Sequence, residues 1–202
     1  MRYRKWKNHR AEFAVLWDVS GSMRDHEAGL YALVHCLQHV VRRTTVFAFG
    51  TRLYEITSLL RGRSYEHAAP GLAARLHPMG GGTRIGACLD DFLRRYGRLL
   101  GEETTVVVVS DGWDLGDTAR LSLAMRRLRR LSHLLIWVNP YADDPRFEPA
   151  TAGMQEALPH VDLLLGPADF ESRTGFAPDR VAARRPAIRT RPRGKAFIDA
   201  AR

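Results

Sequence analysis

Short apolar runs alternate with amphipathic segments along this chain, and that alternation constrains its fold more than any other feature. The clearest run is TTVVVVS at residues 104–110, whose β-branched residues favour a strand buried on both faces. Comparable runs predict further strands at residues 12–18, 45–49, 53–58, 133–138 and 161–165. Apolar residues that recur at helical spacing predict helices at residues 30–41 and 85–100, and further helices are predicted at residues 65–77, 117–131 and 149–158.

Strands that alternate with helices imply right-handed crossover connections and parallel pairing. Residues 53–58 are the exception, because the short turn at Gly50 and Thr51 returns the chain beside residues 45–49 in the antiparallel direction. The sequence therefore predicts a doubly wound α/β domain. It has a mostly parallel sheet, one antiparallel edge strand and helices on both faces.

The formal net charge of +9 is concentrated at the two ends of the chain. Residues 1–10 carry five Lys or Arg and no acid, and residues 167–202 carry nine Lys or Arg against four Asp or Glu. Residues 11–166 carry 17 against 18 and are nearly neutral. We therefore predict a basic N-terminal segment at 1–10, a domain at 11–166 and a basic tail at 167–202. The Arg, Pro and Ala content of the tail predicts that it lacks stable order.

Two features of the sequence bear on the compartment. No apolar run approaches the ~20 residues that span a bilayer, and the basic N-terminus leads into no signal-type stretch. The two cysteines, Cys36 and Cys88, form no CxxC pair and are predicted to be small buried thiols. These features predict a cytoplasmic protein.

Hard oxygen ligands cluster in three loops of the predicted fold. They are Asp18, Ser20 and Ser22 after the first strand, Thr83 at a helix start, and Asp111 after the four-valine strand. In a doubly wound sheet, ligands gather beyond the carboxyl ends of the strands. Carboxylate and hydroxyl oxygens suit Mg²⁺ or Mn²⁺, which take about six oxygen ligands. Because three of these five ligands are neutral, we expect the bound ion to accept a carboxylate from a protein partner.

Three residues beside this site are candidates for the partner surface. Arg84 would steer an acidic partner, and Trp113 and Asp114 follow Asp111 in the same loop. The alternative interpretation of Arg84 is an exposed arginine at a helix start. For Trp113 and Asp114 it is a packed aromatic ring and a helix cap.

The D-x-S-x-S motif at residues 18–22, followed by Thr83 and Asp111, resembles the metal-ion-dependent adhesion site of von Willebrand factor A (VWA) domains. That resemblance implies that Ser20, Ser22 and Thr83 touch the ion, and that the two aspartates bind it directly or through water. The segments RRTTVFAFGTRL, GGGTRIG, VVSDGWDLGD and LIWVNP are similar, in this order, to the CoxE-like subfamily over residues 11–166.

The CoxE-like resemblance also implies a function. Members of that subfamily are linked with MoxR-type AAA+ ATPases and with the maturation of molybdenum-containing hydroxylases such as carbon monoxide dehydrogenase. We therefore expect a metal-dependent binding module that acts as adaptor or substrate recogniser, with no enzyme activity. CoxE-like proteins usually carry a long region before the A domain, whereas ten residues precede it here.

Two other functions stay open at this point. A metal-assisted phosphohydrolase would use Asp18 as its nucleophile, with Asp111 and Asp114 nearby. Such enzymes require a second carboxylate where this chain has Ser20. They also require a lysine, which residues 11–166 do not contain. A nucleic-acid-binding module would instead use the basic ends of the chain.

Overall fold

The computed structural model describes residues 12–41, 43–76 and 82–174, and these form a six-stranded sheet with helices on both faces. The order of strands across the sheet is β3-β2-β1-β4-β5-β6, and β2 and β3 are its antiparallel pair. The predicted α/β fold is therefore confirmed. The strands are β1 (Phe13–Asp18), β2 (Thr44–Phe49), β3 (Leu53–Glu55), β4 (Thr105–Val109), β5 (Leu134–Val138) and β6 (Leu163–Leu165).

Two apolar cores lie on opposite faces of the sheet, because successive residues of each strand point to opposite sides. The core that includes Trp17 of β1 lies beneath α1, α2, α3 and α7, whereas the core that includes Leu16 lies beneath α4, α5 and α6. In the described part of the chain, no helix is long and apolar enough to cross a bilayer. The helices are α1 (Glu27–Val40), α2 (Thr57–Leu60), α3 (Tyr65–Leu76), α4 (Ile85–Tyr96), α5 (Thr118–Leu131), α6 (Ala152–Ala157) and α7 (Pro167–Thr174).

The central strand β1 determines where a ligand can bind. It pairs in parallel with β2 and β4, and Trp17 is level with Ala48 on one side and Val109 on the other. The carboxyl ends of these three strands therefore lie at one edge of the sheet. The loops that carry the predicted ligands after β1 and β4 leave that edge side by side.

The edge strand β3 is shorter than the predicted strand at residues 53–58, because Thr57 ends the extended segment. The Thr57 hydroxyl accepts a hydrogen bond from the backbone N–H of Val46 at 3.0 Å. The N–H of Ile56 donates to the Val46 carbonyl at 2.9 Å. These two hydrogen bonds to β2 end the edge strand, and α2 begins at Thr57.

The prediction that order is lost from residue 167 onward is wrong for Pro167–Thr174, which form the helix α7. Phe170 in this helix is fully buried against the core beneath α1. The carboxylate of Asp143 accepts hydrogen bonds from the backbone N–H groups of Ala168 and Asp169, at 2.9 and 3.4 Å. One aromatic anchor and a distant capping carboxylate thus order a segment whose composition is polar. The rest of the predicted tail, 175–202, and the predicted basic segment 1–10 lie outside the described residues.

Candidate metal centre

Asp18 ends the central strand and is fully buried, 0% exposed. Its Oδ1 accepts a hydrogen bond from the backbone N–H of Ser20 at 3.0 Å. Its Oδ2 accepts one from the hydroxyl of Ser110 at 2.7 Å. Both carboxylate oxygens are therefore fixed in position at the carboxyl edge of the sheet.

The charge of Asp18 is poorly compensated. Burial raises the pKa of its carboxyl to about 7, although the hydrogen bonds from Ser110 and Ser20 lower it in part. The nearby negative charge of Asp111 raises that pKa further. Among the described residues, no Arg, Lys or His forms an ion pair with either aspartate. A buried carboxylate without a cationic partner is costly, and a bound cation would supply the missing positive charge.

The two serines of the D-x-S-x-S motif follow Asp18 in a tight turn. Ser20 precedes a short 3₁₀ helix, Gly21–His26, and its carbonyl accepts a hydrogen bond from the N–H of Met23 at 3.1 Å. The hydroxyls of Ser20 and Ser22 lie 3.1 Å apart. Ser22 is exposed, so the pair provides two neutral oxygens between the buried carboxylate and the surface.

Ser110 and Asp111 bring the loop after β4 to the same place. The buried Ser110 hydroxyl donates to Asp18 and accepts a hydrogen bond from the N–H of Gly112 at 3.0 Å. Asp111 is also buried, and its Oδ1 accepts from the N–H of Trp113 at 2.9 Å. The direct bond between Ser110 and Asp18 joins two segments 92 residues apart. Sequence reasoning noticed Ser110 only as the end of a strand and missed this bond.

The residues at and just after the end of β5 support this loop from the side. The indole N–H of Trp137 donates to the Ser110 carbonyl at 2.8 Å, and the side-chain amide of Asn139 donates to the Asp111 carbonyl at 3.2 Å. Gly112 adopts a φ of 79°, which favours glycine, and a Cβ atom at this position would overlap a neighbouring side chain. The backbone that carries Asp111 is therefore held on both sides.

Thr83 is buried just before α4. Its carbonyl accepts a hydrogen bond from the N–H of Leu115 at 2.9 Å, which ties it to the loop after β4. The N–H of the next residue, Arg84, donates to the carbonyl of Gly50 at the end of β2, also at 2.9 Å. Within the described ranges, the Thr83 hydroxyl has no hydrogen-bond partner, so its oxygen is available to a ligand.

The five predicted ligands thus occupy three loops at one edge of the sheet, and hydrogen bonds connect these loops. The described residues contain no group of three or more His, Cys, Asp or Glu side chains suited to a metal. A metal at this edge would therefore depend on hydroxyl as well as carboxylate oxygens. Two carboxylates and three hydroxyls fit a hard divalent cation such as Mg²⁺ or Mn²⁺.

Asp114, predicted as a partner-binding residue, uses its carboxylate inside the domain. Oδ1 accepts hydrogen bonds from the N–H groups of Ile85 at 2.9 Å and Gly116 at 2.8 Å. Oδ2 accepts one from the N–H of Gly86 at 3.4 Å. Ile85 and Gly86 open α4, whereas α5, the next helix along the chain, is capped by Asp117. The geometry therefore favours the helix-cap interpretation, with α4 as the helix that is capped.

Replacement of Asp114 by alanine is expected to lower the free energy of unfolding by about 1–2 kcal/mol, because loss of an N-cap carboxylate leaves backbone N–H groups unpaired. Urea unfolding followed by circular dichroism measures the change. Asp144→Ala is the matched control, since Asp144 is exposed and its ion pair with Arg146 lies on the surface. Equal stability of the two variants would contradict the capping role.

Large exposed apolar side chains lie in the loops after β4 and β5, beside the site. Trp113 and Leu115, from the loop after β4, are 61% and 62% exposed, and Tyr141 is 46% exposed. The Tyr141 ring packs edge-on against His26, at the end of the turn that begins with the two serines, with ring centroids 4.8 Å apart. We call Trp113, Leu115 and Tyr141 the apolar rim. Arg84 is also exposed.

The sequence pointed to Trp113 and Arg84 but missed the other two members of this surface. Leu115 stands between an aspartate and a glycine, and Tyr141 follows Asn139-Pro140. A large apolar residue inside such a turn-forming segment is the signal that would have found them.

The family model for VWA domain containing CoxE-like protein matches residues 1–172, and the chain belongs to this family. Among curated proteins, none matches the chain. The assignment therefore rests on the family model, which covers most of the chain.

Three solved structures are among those similar to this chain. The von Willebrand factor type A protein from Catenulispora acidiphila is 18% identical over 86% of this chain and 42% of its own, with a TM-score of 0.47. Proximal thread matrix protein 1 from the mussel byssus, solved with a zinc-occupied MIDAS motif, is 14% identical over 81% and 46%, with a TM-score of 0.49. BatB from Bacteroides thetaiotaomicron is 14% identical over 77% and 89%, also with a TM-score of 0.49. The chain spans less than half the length of the first two.

Proposed function

We propose that this domain binds a protein partner through Mg²⁺ or Mn²⁺. The proposed ligands of this ion are Asp18, Ser20, Ser22, Thr83 and Asp111. The observation that carries the proposal is the carboxylate of Asp18, which is fully buried and, among the described residues, has no cationic partner. Desolvation disfavours the charged form of such a group, and a cation beside it removes that cost.

The chemistry of the ligand set favours binding of an acidic partner. When bound, a divalent ion with two carboxylate and three hydroxyl ligands supplies a Lewis-acidic position for one more oxygen, which an Asp or Glu of the partner provides. The exposed Arg84 adds positive charge beside this position. The apolar rim of Trp113, Leu115 and Tyr141 buries apolar side chains that flank the partner's carboxylate.

Two features support binding rather than phosphoryl transfer. Asp18 is buried with both oxygens hydrogen-bonded, whereas an aspartyl nucleophile must reach a phosphorus atom. Asp114, the other carboxylate of the phosphohydrolase hypothesis, caps α4 with both oxygens. We therefore propose a binding role for this domain rather than a catalytic one.

Membership in the CoxE-like family supports a more specific role. In this role the domain is a cytoplasmic adaptor or substrate recogniser for a MoxR-type AAA+ ATPase, in the maturation of a molybdenum hydroxylase. An adaptor of this kind releases its protein partner when the metal ion or the partner's carboxylate is removed. The dependence on metal distinguishes it from a constitutive complex.

The proposal is tested with the Asp111→Ala variant. Loss of even an outer partner of a metal ligand typically costs ~10–100-fold in metal affinity, so loss of Asp111 is expected to weaken Mg²⁺ binding about a hundredfold or more. Calorimetric titration with Mg²⁺ and Mn²⁺ measures this affinity. Co-purification with the MoxR-type ATPase of the same organism, in Mg²⁺ and in EDTA, measures partner capture.

Asp91→Ala is the matched control, since Asp91 lies on the outer surface of α4 and pairs there with Arg94 and Arg95. It is expected to bind metal and partner as the wild type does. Circular dichroism must show that both variants are folded. If Asp111→Ala binds Mg²⁺ with wild-type affinity, or if partner capture survives EDTA, the proposed function is wrong.

A further inference from the structure

The outward side of α5 carries a concentration of positive charge that the metal site does not use. Helix α5 contains five arginines and no acid, although residues 11–166 as a whole are nearly neutral. Its buried side is formed by Leu121, Ala124, Met125 and Leu128. The exposed residues Arg120, Leu123, Arg126, Arg127, Arg130 and Leu131 form what we call the α5 outer face.

Three of the five arginines are partly neutralised by neighbouring carboxylates. Arg120 and Arg127 share the carboxylate of Asp90 on α4, at 2.8 and 3.1 Å. Arg129 pairs with Asp162 at 2.6 Å. Arg126 and Arg130 form no ion pair with any described residue. The four arginines of the α5 outer face and Asp90 therefore leave a net charge of +3 on this surface.

Leucine side chains lie among these arginines. Leu123 is 52% exposed, and its spacing of three and seven residues to Arg126 and Arg130 places all three on one stripe of the helix. Leu131, which is also exposed, continues the surface at the end of α5. Single exposed leucines are common on protein surfaces. A leucine aligned with two arginines that form no ion pair within the described part of the chain offers a partner both apolar and charged contacts.

The location separates this surface from the metal site. Helix α5 begins after the loop that carries Asp111 and runs back along the sheet, since β5 must start at the opposite edge. The eleven residues from Arg120 to Arg130 span ~16 Å along the helix, so Arg130 and Leu131 lie near the amino ends of the strands. A partner can therefore occupy the α5 outer face without contact with the metal ligands.

We propose that the α5 outer face is a second docking surface, which binds an acidic segment of a partner protein with an apolar side chain set among its carboxylates. The planar guanidinium groups of Arg126 and Arg130 match carboxylates in a bidentate geometry. Leu123, one turn before Arg126 on the same stripe, supplies the apolar contact. Arginine is enriched at protein interfaces and at their energetically dominant positions.

Charge excludes two other occupants. The segment 167–202 of this chain is itself basic, so it does not complement the surface. A second copy that pairs through the same face would bring like charges together. A nucleic acid complements the charge, but the phosphate groups that the arginines would bind offer no apolar partner to Leu123 and Leu131. The leucines therefore favour a protein partner.

The experiment uses two synthetic acidic helical peptides of equal charge and a single-stranded DNA oligonucleotide with the same number of charges. One peptide carries leucine at every fourth position, and the other carries alanine there. Fluorescence anisotropy in EDTA measures their affinity for the full chain, which keeps the metal site out of the result. We expect the leucine peptide to bind about tenfold more tightly than the alanine peptide. We expect Leu123→Ala to abolish that difference.

The double variant R126E/R130E is expected to weaken binding of the leucine peptide at least about tenfold. R61E/R63E is its matched control, with the same change in charge at two exposed arginines in the loop after α2. Thermal unfolding must show that every variant is folded. Equal binding by R126E/R130E and its control would overturn the proposal. Tighter binding of the oligonucleotide, unaffected by Leu123→Ala, would overturn it in favour of nucleic acid.

Discussion

Alanine in place of Gly86 is expected to destabilise the domain by about 2–3 kcal/mol, although alanine is normally the better helix former. Gly86 lies in the first turn of α4, where a Cβ atom would stand 2.6 Å from the backbone nitrogen of Leu121 and 2.9 Å from its Cα. Both atoms belong to the backbone of α5 and have no rotamer through which to move aside. The two helices must therefore separate to admit a methyl group.

Gly29→Ala is the matched control for this substitution. Gly29 lies within α1, and a Cβ atom there would meet no other atom within 4 Å. Its replacement is expected to stabilise the domain by about 0.5–1 kcal/mol, the ordinary helix preference. Urea unfolding of the two variants measures both values. A stabilising effect of Gly86→Ala would show that α4 and α5 do not pack this closely.

Mg²⁺ is expected to stabilise the wild-type domain strongly and to leave Asp18→Asn unchanged. At about a hundred times its dissociation constant, a ligand that binds only the folded state adds ~2.7 kcal/mol to the free energy of unfolding. Asparagine keeps the shape of Asp18 and an oxygen for the N–H of Ser20, but it removes the buried negative charge that favours a cation. Thermal unfolding with Mg²⁺ and with EDTA measures the difference.

Without metal, Asp18→Asn is expected to be at least as stable as the wild type. Burial raises the pKa of Asp18 to about 7, so the metal-free wild type holds a costly carboxylate near neutral pH. Asp91→Asn, on the surface of α4, is the control and should respond to Mg²⁺ as the wild type does. If Mg²⁺ stabilises Asp18→Asn as much as the wild type, Asp18 does not hold the ion.

Local patterns in the sequence were sufficient to predict most of the elements and the mostly parallel sheet. The apolar strands 12–18, 104–110 and 133–138 and the amphipathic segment at 117–131 correspond to β1, β4, β5 and α5 with small shifts at their ends. Such patterns are readable because periodicity depends only on which face of an element is buried. Element ends were less predictable. At Thr57, for example, a side-chain hydrogen bond to β2 ended the strand early.

The ligand-bearing loops could also be located from the sequence, because the carboxyl ends of parallel strands are known once the strands are known. The roles of the residues beside these ligands could not be predicted from the sequence. The sequence left Asp114 open as a partner-binding residue or a helix cap, and in the structure its carboxylate caps α4. Ser110 looked like the end of a strand, yet it holds Asp18. Leu115 and Tyr141 attracted no notice, yet they are among the most exposed apolar side chains described.

By itself, then, the sequence determined the order and type of most elements, the mostly parallel sheet and the edge at which Asp18, Thr83 and Asp111 would emerge. Only the tertiary structure decided which donor each carboxylate meets, that residues 167–174 form a helix through Phe170 and Asp143, and that α5 leaves Arg126 and Arg130 unpaired among the described residues. The physical reason is the range of the interactions. A pattern of buried residues repeats along one segment and can be read from the sequence. Hydrogen bonds and ion pairs join residues that can be far apart along the chain, and the sequence does not show which residues pair.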